Sequence, residues 1–401
     1  MRLELELPLD STFLSGVIYE GILYVLNYVS GFSFNLNKAE LPDDFLCRAY
    51  DNMNNERIED ISIVLTRNDR IDKFLKSLQI GESPFKKTYR ELLKLLKRQC
   101  KNISIKRDKI TVRAEIRKNN MFLDIPERSK LAAPQLFKVD RYTGFSTLEM
   151  KTTSEQLGLR VSPEIILIGL LGIYSSHITT VRAQYGKQGL KGHTYHYFLF
   201  LSPDETASIL ASGDRTKLIN IYSVKESLRE LLSETLRGSV VSEVMILEAM
   251  LSTKIRSELV STNLDKVDFN VFKISPEGRT YKIYETVPIS VYRDPMFYNI
   301  LSKRGIRADK LCKKLYKALS PNGVIMETLR SFNTKNKYSE ADVILRGVLS
   351  LYRFVSLADM HGLFEFLRSL EEAYTILKAD KRTQARAERY ASIQKGISHA
   401  L

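Results

Sequence analysis

The chain has 401 residues, 44% apolar and 27% charged, which supports a buried core and two or more domains and excludes a disordered polymer. Its net charge of +14 favours a polyanionic partner, nucleic acid or an anionic membrane surface, over a charge that only keeps the protein soluble. No apolar run is long enough to span a bilayer, and the acid–leucine alternation of Met1–Leu7 excludes a signal peptide, so the expected compartment is the cytoplasm.

Leu3, Leu5 and Leu7 alternate with Arg2, Glu4 and Glu6, the period of a half-buried strand. Residues 13–29 predict a buried helix ended near Gly31, residues 57–66 a strand, and residues 68–78 a short amphipathic helix stopped by Gly81. Ser83–Pro84 then reads as the start of a longer helix. Its apolar residues Phe85, Tyr89, Leu92, Leu93 and Leu96 recur at helical spacing, and Lys86, Lys87, Arg90, Lys94, Lys97 and Arg98 crowd the remainder. Strands follow near 103–105 and 110–116. From Ser83 to Lys118 there are 13 Lys and Arg against Glu91, Asp108 and Glu115, an excess of +10. A run this one-sided repels itself unless an anion lies nearby, which makes the helix a candidate nucleic-acid contact.

Residues 124–140 carry two prolines and little periodicity and predict a loop, and residues 145–153 return to strand. Ser162–Pro163–Glu164 combines a hydroxyl cap, a proline at the first helical position and an acid at the positive end of the helix dipole. The run from Ile165 to Ile173 is apolar on nearly every side, so this helix belongs in a core. Val181 to Gly192 then spaces three glycines among Arg182, Tyr185, Lys187 and Lys191 with no acid, ahead of an aromatic strand over 195–201. Backbone amides and cations free to approach phosphates, with one aromatic for stacking, mark this loop as the first candidate site.

Ser202–Pro203 starts a helix to about Ala211, residues 216–236 and 241–251 are helical, and residues 268–290 form strands about a turn at 276–278. From Asp294 the pattern is helical throughout, over 296–319, 324–331, 340–357, 362–378 and 381–398. Residues 301–401 hold 19 Lys and Arg against 10 Asp and Glu. The predicted fold class is α+β: a mixed α/β body over 1–295, subdivided near 150–160, followed by a basic all-α helical bundle over 296–401.

Signals for catalysis are thin. Cys47, Cys100 and Cys312 form no C-x-x-C pair, which argues against a thiolate zinc site and against a disulfide framework. His193 and His196 are three apart, which on a helix brings two imidazoles together at a metal but on the predicted strand points them to opposite faces. Asp124 followed by Glu149-Met150-Lys151 matches the short D…E-x-K pattern of metal-dependent nucleases, a pattern that arises readily by chance. Tyr390 lies where a recombinase would carry its late tyrosine, but His177 and Arg182 are too far apart for that motif. Gly186 to Gly192 lacks the lysine–hydroxyl pair of a triphosphate loop, and G-x-S-x-G does not occur. The expectation is a protein that is not an enzyme and has no cofactor and no metal.

The basic α+β body, the SPEIILIGLLGIY helix leading into a glycine–lysine loop and an aromatic strand, and the helical C-terminus together resemble the large subunit of archaeal type I-A CRISPR interference (Cascade) complexes. The Lys-, Ile- and Tyr-rich, Trp-free composition fits such a thermophilic archaeal source. The resemblance implies a non-catalytic subunit of a crRNA-guided ribonucleoprotein in antiviral defence. Its partners would be crRNA, double-stranded target DNA, other Cascade subunits and a separate helicase-nuclease, with no membrane. Guide pairing would supply the sequence specificity, while the subunit reads the protospacer-adjacent motif and holds the displaced strand. The competing readings are a metal-dependent nuclease or recombinase acting on DNA, and an archaeal DNA-binding protein working alone.

Overall fold

The leucine alternation at the N-terminus forms a strand, β1 (Arg2–Leu5), which buries Leu3 and Leu5. It lies in a computed structural model that describes residues 1–81, 88–103, 107–118, 120–142, 158–183, 193–236, 242–330 and 340–401. With β2 (Ser33–Phe34), β3 (Lys38–Glu40) and β4 (Lys109–Val112) it makes a sheet of order β2-β3-β1-β4, antiparallel to β3 and parallel to β4. The class is α+β, and the described residues divide into two compact units, one of Met1–Ala183, His193–Ile219 and Phe269–Pro288, the other of Asn220–Asp268 and Ile289–Leu401.

In the first unit, α1 (Phe13–Tyr28) starts at Thr12, whose hydroxyl accepts from the Ser15 amide. The Asp140 carboxylate accepts from the Phe13 and Leu14 amides at 2.8 and 2.9 Å, so a residue far along the chain satisfies the free end of this helix. Four helices follow: α2 (Phe45–Asp51), α3 (Asn55–Glu59), α4 (Ile71–Ser77) and α5 (Tyr89–Gln99). The Ser-Pro-Glu signal starts α6 (Pro163–Ser176), with Ser162 accepting from the Ile165 amide. α1 and α6 cross so closely that a Cβ on Gly21 would collide with the Ile168 carbonyl, and one on Gly172 with the Val17 carbonyl.

Two further sheets lie wholly or mostly in this unit. Strands β5 (Ala114–Arg117), β6 (Asn120–Leu123), β7 (Leu131–Ala132) and β8 (Gly158–Val161) form one of order β5-β6-β8-β7. Strands β9 (His177–Ala183), β10 (His193–Leu201), β11 (Lys266–Glu277) and β12 (Thr280–Tyr292) form the other, of order β12-β11-β10-β9. α1 packs on β10, where the Phe13 ring meets Phe198 and Phe200 edge-on at 5.1 and 5.3 Å. α7 (Pro203–Ser212) begins at Ser202 as the sequence predicts and ends at Gly213, which takes a left-handed φ of 60°.

Several expectations are corrected. Residues 57–66 do not form a strand: Asn54 accepts from the Glu56 and Arg57 amides and pulls Arg57–Glu59 into α3, leaving a single bridge between Val64 and Thr88. The basic helix α5 runs from Tyr89, where Thr88 and Glu91 cap each other's amides, and the expected start at Ser83–Pro84 lies outside the described residues. The stretch 110–116 splits at Arg113 into β4 and β5, which belong to different sheets. The supposed loop 124–140 holds β7 and a 3-10 segment, Gln135–Tyr142, whose Leu136, Phe137 and Val139 are buried. Cys47 and Cys100 are joined as a disulfide, contrary to the cysteine reading; packing of α2 against the end of α5 brings together two residues that their 53-residue separation hides. The whole of residues 145–153 and of 184–192 lies outside the described residues.

The second unit is helical. It contains most of α8 (Arg215–Leu236), then α9 (Ser242–Leu251), α10 (Thr253–Ser261), α11 (Met296–Lys303), α12 (Ala308–Ala318) and α13 (Val324–Arg330). The last three helices are α14 (Glu340–Leu357), α15 (Met360–Lys378) and α16 (Gln384–Ser398). One apolar core, including Leu247, Leu311, Leu315, Leu351, Phe354 and Phe366, binds α9 and α11–α16, so the helical unit recruits segments ahead of Met296. No helix among the described residues is long and apolar enough to cross a membrane.

Candidate nucleic-acid interface

Of the loop candidates, Arg182 stands exposed near the end of β9, opposite Thr194 of β10, with the ladder ending at Ala183–His193. Tyr185, Lys187 and Lys191 lie outside the described residues, as do Lys86 and Lys87 of the basic stretch. The other candidate cations, Arg90, Lys94, Lys97 and Arg98, sit on α5, and most are engaged within the protein. Arg90 and Lys94 pair with Glu59 of α3, and Lys97 donates to the Met53 carbonyl. The Lys94 hydrogen bond holds the Glu59 carboxyl below the usual carboxylate range. Arg98 is exposed. Much of the positive charge that marks this helix in the sequence therefore docks it against α3.

A basic groove arises elsewhere in the first unit, from residues far apart in the chain. Asp69 ends a 3-10 turn, Arg67–Asp69, in which it and Thr66 cap each other, and Arg70 follows in the left-handed region at φ 49°. This turn sets Arg70 ahead of α4, whose first turn carries Lys73. Antiparallel pairing of β7 with β8 places Ala132 opposite Arg160, and the alternation buries Leu159 and Val161 while exposing Arg160. Lys130 leads into β7, and Lys138 lies on the 3-10 segment that follows it.

Arg70, Lys73, Lys130, Lys138 and Arg160 line one cavity of about 360 Å³, with Phe74, Leu131, Ala132 and Leu159 between them and no acidic side chain among the described residues. Asp69 is only 2% exposed, and it accepts from the Thr66 and Gln135 amides and the Thr66 hydroxyl. Burial pushes its carboxyl above the usual range. Lys130 also lines an adjoining 290 Å³ cavity of mixed charge, with Arg107, Arg128, Glu127 and Glu164, where Arg107 is paired with Asp124 and Glu164. Positions 70, 73, 130, 138 and 160 share no run or motif, so the sequence carries no signal for this groove beyond the net charge.

Most of the candidate catalytic residues that the structure describes are held in structural contacts. Asp124 is fully buried, with φ 74°, and binds the Arg107 guanidinium and the Thr111 and Ile125 amides; Glu149 and Lys151 lie outside the described residues. His193 and His196 fall on a strand as predicted, His193 exposed and His196 2% exposed with Nδ1 2.9 Å from the Thr180 hydroxyl. Burial pushes the His196 imidazole down to about 4, which keeps it neutral near pH 7. Cys47, Asp51 and Cys100 present three metal-type donors within 4.8 Å of one another, but the disulfide removes the thiolates a metal would need. The Tyr390 hydroxyl is buried between Glu340 and Thr328 at 2.5 Å from each, out of reach of a substrate.

No family model matches the chain, and no solved structure matches it. It is 42% identical to an uncharacterized protein of Archaeoglobus fulgidus, over 99% of this chain and 100% of that one. Similarity of that degree from end to end shows common descent, and the chain belongs to the same family as this uncharacterized archaeal protein.

Proposed function

We propose that this protein binds nucleic acid through its phosphate backbone, with the groove of Arg70, Lys73, Lys130, Lys138 and Arg160 as the contact surface. The observation that carries this reading is five cations around one cavity that no carboxylate among the described residues lines. A polyanion bound there would release its own counterions. Between the cations the lining is Phe74, Leu131, Ala132, Gly158 and Leu159, so its polar side chains are cations suited to phosphate oxygens.

At finer grain, we place this binding in the large subunit of a crRNA-guided type I-A interference complex that holds target DNA. The support is the layout that resembles that family: a basic α+β unit, the buried Ser162-capped helix leading into β9 and β10, and a helical unit rich in Lys and Arg.

Two experiments test these levels separately. Replacing Lys73, Lys130 and Arg160 by alanine, all at exposed positions, lowers the slope of log K against log salt for duplex DNA by about 2.7 if each holds one phosphate. An unchanged slope refutes the groove. Purification of the protein from its native host yields short uniform RNAs and several CRISPR-associated proteins under the finer reading, and the protein without RNA refutes it.

A further inference from the structure

The second unit holds a cleft of about 780 Å³ between α10, α11 and α12, built around one arginine and one tyrosine. The Arg256 guanidinium carbon lies 4.1 Å from the centre of the Tyr298 ring. Three acceptors fix its edge: the Arg293 carbonyl at Nε (2.9 Å), Asp309 at Nη1 (2.7 Å) and Asp294 at Nη2 (3.5 Å). The group is thus a flat cation held at three of its five N–H donors, stacked on Tyr298 and lining the cleft. A flat guanidinium also stacks on aromatic rings of a ligand.

The charges nearby have a matching arrangement. Asp294 and Asp309 both bind Arg256, and Asp294 also pairs with Arg293, so Arg307, Lys310 and Lys313 leave the cleft with a net positive charge. Lys310, Lys313, Lys314 and Lys317 are spaced i, i+3, i+4 and i+7 on α12, all exposed, while Leu311, Cys312 and Leu315 bury the opposite face. Asn299 and Ser302 supply neutral hydrogen-bonding groups at the cleft wall. The volume falls within the usual range of ligand sites, about 300–1,000 Å³.

We infer that this cleft binds a nucleotide unit, with the base stacked on Arg256 and the phosphate held by Arg307, Lys310 and Lys313. The unit comes either from a single-stranded nucleic acid or from a free nucleotide, and the stripe running on to Lys317 fits a strand that continues along α12. The site is independent of the basic groove.

The test uses the full chain in the Lys73, Lys130 and Arg160 alanine background, so that groove binding and cleft binding are separated. Calorimetry at low salt compares a deoxyadenosine oligomer of about ten nucleotides, an abasic oligomer of equal length and adenosine monophosphate. Stacking makes the deoxyadenosine oligomer bind about tenfold or more tighter than the abasic one. Arg256→Lys keeps the charge, loses the plane and removes that advantage. The paired change Lys310→Gln and Lys313→Gln, at exposed positions, weakens both oligomers without touching the Arg256 platform. Monophosphate binding as tight as the oligomer's assigns the site to free nucleotides, and much weaker binding assigns it to a strand. Equal affinity for the two oligomers, or binding that ignores the Lys310 and Lys313 changes, overturns the proposal.

Discussion

Glu248 on α9 offers a sharp electrostatic test of the helical unit. Its side chain is 2% exposed, and its carboxyl faces the Thr235 hydroxyl, which also lies 2.9 Å from the Leu231 carbonyl. A hydroxyl has one proton to donate. A protonated Glu248 completes the chain by donating to Thr235 while Thr235 donates to Leu231; an ionised Glu248 competes with Leu231 for that proton. Burial pushes the carboxyl up to about 7, against the downward pull of the Thr235 hydrogen bond and with a small addition from Glu234. An ordinary glutamate ionises near 4.5, so the unfolded chain releases this proton first. Folding is therefore unpenalised below about pH 4.5, loses stability as pH rises from there to about 7, and carries a constant penalty above. At 1.36 kcal/mol per decade the full penalty is about 3 kcal/mol. Glu248→Gln keeps a donor and removes the charge. Urea unfolding of both proteins at constant ionic strength should give stabilities within about 1 kcal/mol at pH 4 and a gain of about 2–3 kcal/mol for the glutamine form at pH 8. A difference that stays constant across this range would refute the reasoning.

Other outcomes follow from packing and covalent structure. Gly172→Ala sets a methyl against the Val17 carbonyl, a backbone atom that cannot rotate away, and should cost about 1–3 kcal/mol or more in urea unfolding. Gly396→Ala on α16 meets only the end of the Lys314 side chain at 4.0 Å and should stabilise by about 0.5–1 kcal/mol through helix propensity, which makes it the matched control. Cys47→Ser should lower stability by about 2–4 kcal/mol in oxidised protein and abolish any response to a dithiol reductant. Wild-type protein whose unfolding midpoint ignores the reductant would refute the cross-link.

Local signals were the legible ones. Ser162-Pro163 and Ser202-Pro203 each announce a helix whose serine does accept an amide hydrogen bond, because caps are written within four residues. The strand at His193–Leu201 and the late helices were equally visible by period. What failed depends on distant partners. Arg113 bends the chain between two sheets because β4 finds β1 while β5 finds β6, which local alternation does not encode. α5 advertises a nucleic-acid surface, yet Glu59, earlier in the chain, takes up Arg90 and Lys94. The groove is the converse case: its five cations span Arg70 to Arg160, and only the β7–β8 pairing and the turn at Arg70 gather them.

The capping of α1 by Asp140 has a consequence for synthesis. The helix leaves the ribosome early, buried on almost every side in the finished protein, but the carboxylate that closes its first turn is 127 residues downstream of Phe13. At a translation rate of 5–20 residues per second that gap is roughly 6 to 25 s, and Ile168 and Phe200, which fill its glycine notches, arrive later still. Throughout that interval a sixteen-residue apolar helix lacks the 3-10 segment, α6 and β10 that pack on it in the finished protein, so the nascent chain is most open to aggregation, and to chaperone capture, before its middle third has been made.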